Sequence, residues 1–410
     1  MKRITSNVAI IFIVVLIDLI GFGIIIPILP RYSETHFGAS ELQIGILIAS
    51  FSFFQSLFSP VLGRISDRIG RKPVISFALL ISSVSYLIFA FAPNYWIALL
   101  SRSIAGIGGG SISAAQAYIA DVTDKSERTK GMGLIGTAFG LGFVLGPFIG
   151  GILSSYGYIV PNLSASAFSF FAFLLTQFFL KESLQSKTEF ILKTDDLTKS
   201  LDFSRYSYVF SGNYVGMFNL IFFIITFSIA NTYGVIPIFA YRKLHFSDRE
   251  IGYVYAVIGV IGVIFQGYLI GKLTKIFGER RLLLFGILML STGLAFIPLS
   301  VSKYFIIWIF IILISIGLAF INPTILSLIS KLSPPERQGE YLGVNQSMGS
   351  LGRVFGPIWG GFGFNVLGFQ FPFWTASFFT LVSLYLAIEN FKKINLIKSE
   401  IIERYGVQIR

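Results

Sequence analysis

Three ionisable residues stand at depths where charge is costly. Asp18 lies in the middle of the apolar run 7–29, roughly 15 Å from its start at the helical rise of 1.5 Å per residue. An ionised acid in mid-bilayer costs on the order of 3 kcal/mol, so its presence calls for a partner or a function. A carboxyl group whose surroundings change can take up a proton in one state and release it in another. Arg102, about 10 Å from the other end of run 95–120, is a cation long enough to approach it. Arg353 sits about 12 residues into run 341–366, again near the middle. A snorkelling arginine belongs near a helix end, so this depth points to a polar cavity. With Asp18 ionised the three sum to +1, which disfavours a simple organic cation as cargo and favours an anion or zwitterion.

A second constellation is Gly63-Arg-Ile-Ser-Asp67-Arg-Ile-Gly70-Arg71-Lys72-Pro73, a short basic turn with one acid between two apolar runs. Topology alone explains its arginines but not Asp67. A degraded copy, Gly271-Lys-Leu-Thr-Lys275-Ile-Phe-Gly278-Glu-Arg280-Arg281, follows 208 residues later, with Lys275 in place of Asp67. The second copy is therefore expected to lack an equivalent acid-based contact.

The elements that must hold these residues are membrane helices. The 410 residues are 54% hydrophobic and 13% charged, a composition solvated mainly by lipid. Twelve runs reach the about 20 residues a crossing needs, near 7–29, 43–62, 74–92, 95–120, 131–153, 163–180, 212–240, 251–271, 282–301, 304–330, 341–366 and 371–389. The fold class is an all-α polytopic membrane protein of two pseudo-symmetric six-helix bundles, 1–180 and 212–390, with a cytoplasmic linker 181–211 and a cytoplasmic tail 391–410. With the N-terminus inside, 25 of the 32 Lys and Arg fall in cytoplasmic segments and 5 outside, which places both termini in the cytoplasm. The net charge of +12 thus reads as topology and lipid-headgroup contact, with no nucleic acid implied. There is no cysteine, which excludes thiolate chemistry and Cys-based metal sites. Two further landmarks repeat. Glu127-Arg128 recurs as Glu336-Arg337, and Gly142-x3-Gly146-Pro147-x2-Gly150-Gly151 recurs as Gly352-x3-Gly356-Pro357-x2-Gly360-Gly361. Glycines at such spacing let helices approach closely, and the proline permits a bend.

On these residues the chain resembles the major facilitator superfamily, and within it the twelve-span drug:proton antiporter branch that includes tetracycline-efflux proteins. Gly63, Asp67 and Arg71 match the signature of the loop between spans 2 and 3; the glycines and Pro147 of span 5 match the antiporter motif. Leu16-Ile-Asp18…Gly21…Gly23…Pro27-Ile-Leu-Pro30 matches span 1 of the drug-efflux branch. Arg102-Ser-Ile-Ala-Gly106-Ile-Gly108 resembles the proton-coupling motif, except that Ala105 replaces its usual Gln. The resemblance implies that Asp18 and Arg102 serve proton coupling. It also implies that Gly63, Asp67, Arg71 and Arg128 form a latch to span 11 in the outward-facing state. Arg353 has no counterpart in the motif.

The expected function is a non-enzymatic secondary transporter that exports small amphiphilic compounds in exchange for protons by alternating access. A carrier of a specific organic anion or zwitterion is the alternative within transport; a lipid flippase or scramblase is the alternative outside it. Gln116, Asn231 and Asn345 are assigned with Arg353 to the substrate cavity. No Walker sequence is present, so the proton gradient is the expected energy source, with no cofactor or metal. The partners are a small molecule, protons and membrane lipids, with the chain acting as a monomer.

Overall fold

The computed structural model describes residues 2–123, 128–184, 214–301, 304–333 and 338–405, and among these it is almost wholly helical. Span 1 is Lys2–Ile25, followed by a short helix Leu29–Phe37. Span 2 is Glu41–Ile69 and span 3 is Arg71–Ala90. Span 4 is broken into Tyr95–Gly109 and Ile112–Val122; span 5 is Arg128–Leu153 and span 6 is Ile159–Phe179. The second series repeats the first: span 7 Tyr214–Tyr233, a short helix Val235–Leu244, and span 8 from Asp248 to Leu269. Spans 8 and 9 run together as far as Phe296 with a break at Gly278; spans 10, 11 and 12 are Ile307–Leu332, Gln338–Leu367 and Phe371–Tyr405.

Nine of the described helices are long and apolar enough to cross a membrane. The three expected spans outside that set are helical as well. Spans 5 and 11 are dense in glycine, which permits close packing.

Local chemistry sets the breaks. Ser40 and Gln43 form a capping box that starts span 2, and Ser247 and Glu250 form the same box at span 8, each satisfying backbone donors that a helix start leaves free. The residues 63–69, expected as a loop, continue span 2 as helix, and the turn is the single residue Gly70 at φ +117°. Its counterpart Gly278 has φ +75°. Both need the backbone freedom of glycine.

Within each series the same neighbours pack: span 1 on 5 and 6, span 3 on 4 and 6, span 7 on 11 and 12, span 9 on 10 and 12. Between the series, span 2 packs on span 11 and span 5 on span 8. The end of the molecule carrying residues 63–73 is called the basic end below, and the opposite one the far end.

Candidate functional site

The far end is where the two series are tied together. Arg31 donates to Asp248 at 2.9 Å, while Arg242 donates to Glu34 at 2.6 Å and to Glu41 at 2.5 Å. Each carboxylate Glu41 and Asp248 opens a span of one series and takes an arginine from the short helix of the other. Burial opposes charge on both guanidiniums, but their carboxylate partners outweigh it and raise both arginine pKa values. Tyr158 lies against Asp248, and burial followed by that negative charge pushes its phenol up to about 12. Beneath these pairs the backbones touch. A Cβ on Gly151 would sit 2.8 Å from Gly252 Cα, and Gly361 lies against Glu41 and Leu42. The expected antiporter glycines thus divide their work. Gly142, Gly146 and Gly150 seat span 5 on Leu19, Gly23 and Ile24 of span 1, whereas Gly151, with the Pro147 carbonyl, meets span 8.

Asp18 lies in span 1, where its carboxylate accepts a hydrogen bond from Ser169 of span 6 at 2.9 Å. The expected pairing with Arg102 is not formed. Arg102 is buried at 5% exposure, its guanidinium 4.9 Å from the centre of the Phe51 ring and 6.0 Å from that of Phe22. Two ring faces give a cation some electrostatic support in a dry site, and Tyr86 of span 3 interacts electrostatically with both Asp18 and Arg102. The Ser169 hydroxyl is the partner that the sequence did not single out. It suits the charged carboxylate as donor and the protonated carboxyl as acceptor.

Arg353 is partly exposed on span 11. Its Nη2 donates to Ser350 Oγ at 3.1 Å, and a Cβ on Gly349 would lie 3.3 Å from its Nη1. Of the other expected cavity residues, Gln116 is exposed on span 4. Asn231 is not a cavity residue: it is fully buried, donates to the Pro372 carbonyl at 2.9 Å, and is gripped by Gly356 and Gly360. Asn345 is likewise buried, at 1% exposure. An asparagine inside a bundle can serve helix association as readily as solute binding, and the bond from Asn231 to Pro372 serves association.

At the basic end, Asp67 and Arg71 pair with one another, one turn apart across Gly70. Arg71 also reaches Asp121 at 3.0 Å and Ser66 at 2.7 Å, all within its own series. Gly63 faces Ser113 of span 4. The Arg128 side chain lies outside the described residues, as do residues 185–213, which include most of the expected linker. One residue the sequence reading missed stands out here. The Glu182 carboxylate accepts from the backbone N–H of Arg71 at 2.9 Å and of Lys72 at 3.2 Å, and from Ser183 and Leu184. An acid at the first turn of span 3 satisfies donors the helix cannot and complements its dipole. It also explains why position 70 carries no side chain, since a Cβ there would strike Glu182.

Comparison with known proteins agrees with this architecture. The profile of the Major Facilitator Superfamily matches residues 11–267 and, again, 218–400. The chain is 32% identical over 400 residues to Multidrug resistance protein 2 of Bacillus subtilis (strain 168), covering 95% of this chain and 97% of that one. It is 28% identical over 362 residues to the class B tetracycline resistance protein of Escherichia coli, covering 86% and 87%. Among solved structures, the human organic anion transporter MFSD10 (TETRAN) superposes with a TM-score of 0.71 at 26% identity, over 94% of this chain and 99% of the other.

Proposed function

The chain belongs to the Major Facilitator Superfamily, and on that premise we propose that it exports small amphiphilic compounds in exchange for protons. It does so across the cytoplasmic membrane, as a monomer with both termini in the cytoplasm. The proton gradient is the only energy source it needs. Its relatives, a multidrug resistance protein and a tetracycline resistance protein, support the export direction and the amphiphile class.

One observation carries the reading: the acid of span 1 is held by Ser169 and not by a cation. A permanent ion pair would fix Asp18 in its charged form, whereas a hydroxyl partner accommodates both forms. Asp18 can therefore take a proton in one state of the transporter and lose it in the other without abandoning its neighbour. Arg102 is the group whose approach to Asp18 would favour release.

The arginine–carboxylate pairs at the far end support a route in which cargo enters from the basic end, the side that this reading makes cytoplasmic. In the opposite state the far-end pairs separate and the two bundles rock together at the basic end. There Asp67, Arg71 and Arg128 act as the latch. The test uses purified protein in vesicles with an imposed proton gradient, screened with tetracycline and with amphiphilic cations and anions. At least one probe should accumulate against its own gradient, and a protonophore should abolish this. Equal accumulation with and without the gradient in every case would overturn the proposal.

A further inference from the structure

Span 11 presents two packing faces, and Arg353 stands on the boundary between them. Gly349, Gly352 and Gly356 face span 7, against Phe222, Phe227 and Asn231. Pro357 and Gly361 face span 2 of the other series, against Gly45 and Glu41. At 100° per residue, position 353 lies between these stripes, one turn nearer the basic end than Pro357. A side chain there borders the seam between the two series, on the side away from the far-end seal.

Helical side chains lean toward the helix N-terminus, and the guanidinium does so: its Nη1 lies over Gly349, its Nη2 on Ser350 Oγ at 3.1 Å. No Asp or Glu of the described residues pairs with Arg353, and the acids of spans 7 to 12 lie near their ends. A guanidinium has five donors, and Ser350 takes one of them. A mid-span cation so placed is a recognition group for negative charge: its planar fork matches a carboxylate, which Lys cannot reproduce.

We propose that Arg353, with Ser350, forms a subsite in the second half of the molecule that binds the carboxylate of an amphiphilic substrate. The proposal rests on the transport reading and specifies its cargo: molecules with an apolar body and a compact anionic group, zwitterions included. The apolar part lies against Phe222 of span 7, the neighbour of Gly349.

The test is direct binding to purified protein, which needs no proton gradient and so stands or falls separately from export. Radiolabelled 1-naphthaleneacetate and its uncharged amide differ in the anionic group alone. The native protein should bind the carboxylate about tenfold more tightly than the amide, and Arg353→Gln should erase that preference, the loss of one charge-assisted hydrogen bond being worth about 1.5 kcal/mol or more. Amide affinity should change little. Because the chain has no cysteine, Arg353→Cys offers a second arm on a single unique thiol. Its modification by an aminoethyl thiosulfonate, which restores a positive charge, should recover part of the preference; a sulfonatoethyl reagent should not. Equal affinity of the native protein for both probes would overturn the subsite, as would a preference surviving Arg353→Gln or recovered by both reagents alike.

Discussion

Residues 1–180 and 212–390 can be compared position by position, and the comparison separates what holds the fold from what performs the task. Ser83 and Ser166 join spans 3 and 6, each hydroxyl donating to the other's carbonyl; Ser291 and Ser377 do the same between spans 9 and 12. Gly146 abuts the Gly23 backbone as Gly356 abuts that of Asn231. The short helices end in left-handed residues at equivalent places, Gly38 at φ +61° and His245 at φ +58°. Close packing of small residues is what lipid-solvated helices have in place of a hydrophobic drive, so both halves keep it.

The charges do not repeat. Packing aligns Asp18 with Ile225, which is 1% exposed, and the antiporter motif aligns Arg353 with Phe143. At the basic end, Arg71 with Asp121 is answered by Glu279 with Lys331, at 2.7 Å, in reversed polarity. The second half therefore has its own ion pair where none was expected, while Lys275 is exposed. Nor does anything match Glu182, because span 12 continues as helix where span 6 stops at Phe179. The remaining difference is geometric. Gly45 and Gly252 are equivalent at an offset of 207, yet Gly70 and Gly278 are equivalent at 208. Span 8 thus carries one residue more than span 2, and the π-helical stretch Val263–Leu269 absorbs it, the usual way a helix takes up an insertion.

The comparison can be broken at several strengths. The largest effect belongs to the shared packing: Gly150→Leu and Gly360→Leu should each cost about 3 kcal/mol or more, since each side chain meets backbone that cannot yield. Thermal unfolding in detergent should show comparable losses; a tolerant second half would end the claim of equivalence. Next comes the unmatched clamp. Glu182→Gln should lower stability by about 1 kcal/mol, the usual value of a helix-start contact, whereas Lys393→Gln at the corresponding place should be neutral.

The far-end seal is weaker, because ion pairs whose arginine stays within reach of solvent contribute about 0.2–1 kcal/mol each. Arg242→Gln removes two of them and should raise the far-end-open population about 2- to 30-fold. Spin labels at Trp96→Cys and Leu299→Cys would read this as added long distances, and an unchanged distribution would remove Arg242 from the seal. The smallest effect is none at all. The pKa values of Arg31 and Arg242 are raised, so their contribution is complete below the ordinary arginine value and is lost only above it. Between pH 7 and pH 10 the same distances should not move; opening in that window would contradict the assignment.

Much of this was readable from the chain. An acid alone in an apolar run announces itself, and the three repeated landmarks fix the duplication. Partner choice was harder to read. Ser169 is one hydroxyl among many, and only packing shows that span 6 brings it to Asp18 while Arg102 turns to two phenylalanines. Asn231 was assigned to the cavity because an amide in mid-membrane has two uses that sequence does not separate. Glu182 was hidden in a polar stretch where carboxylates are common. The π-helical residue did leave a trace: the Ser40 and Ser247 capping boxes lie 207 apart, one short of the offset between Gly63 and Gly271.

The central claim is that the first half carries the proton and does so at Asp18. Substrate-induced proton release from purified protein, measured with a pH dye in weakly buffered detergent solution, tests it most directly. A compound shown to be exported should release protons from the native protein. Asp18→Asn should bind the same compound and release none. Undiminished release from Asp18→Asn would place the exchanging proton elsewhere and contradict the account.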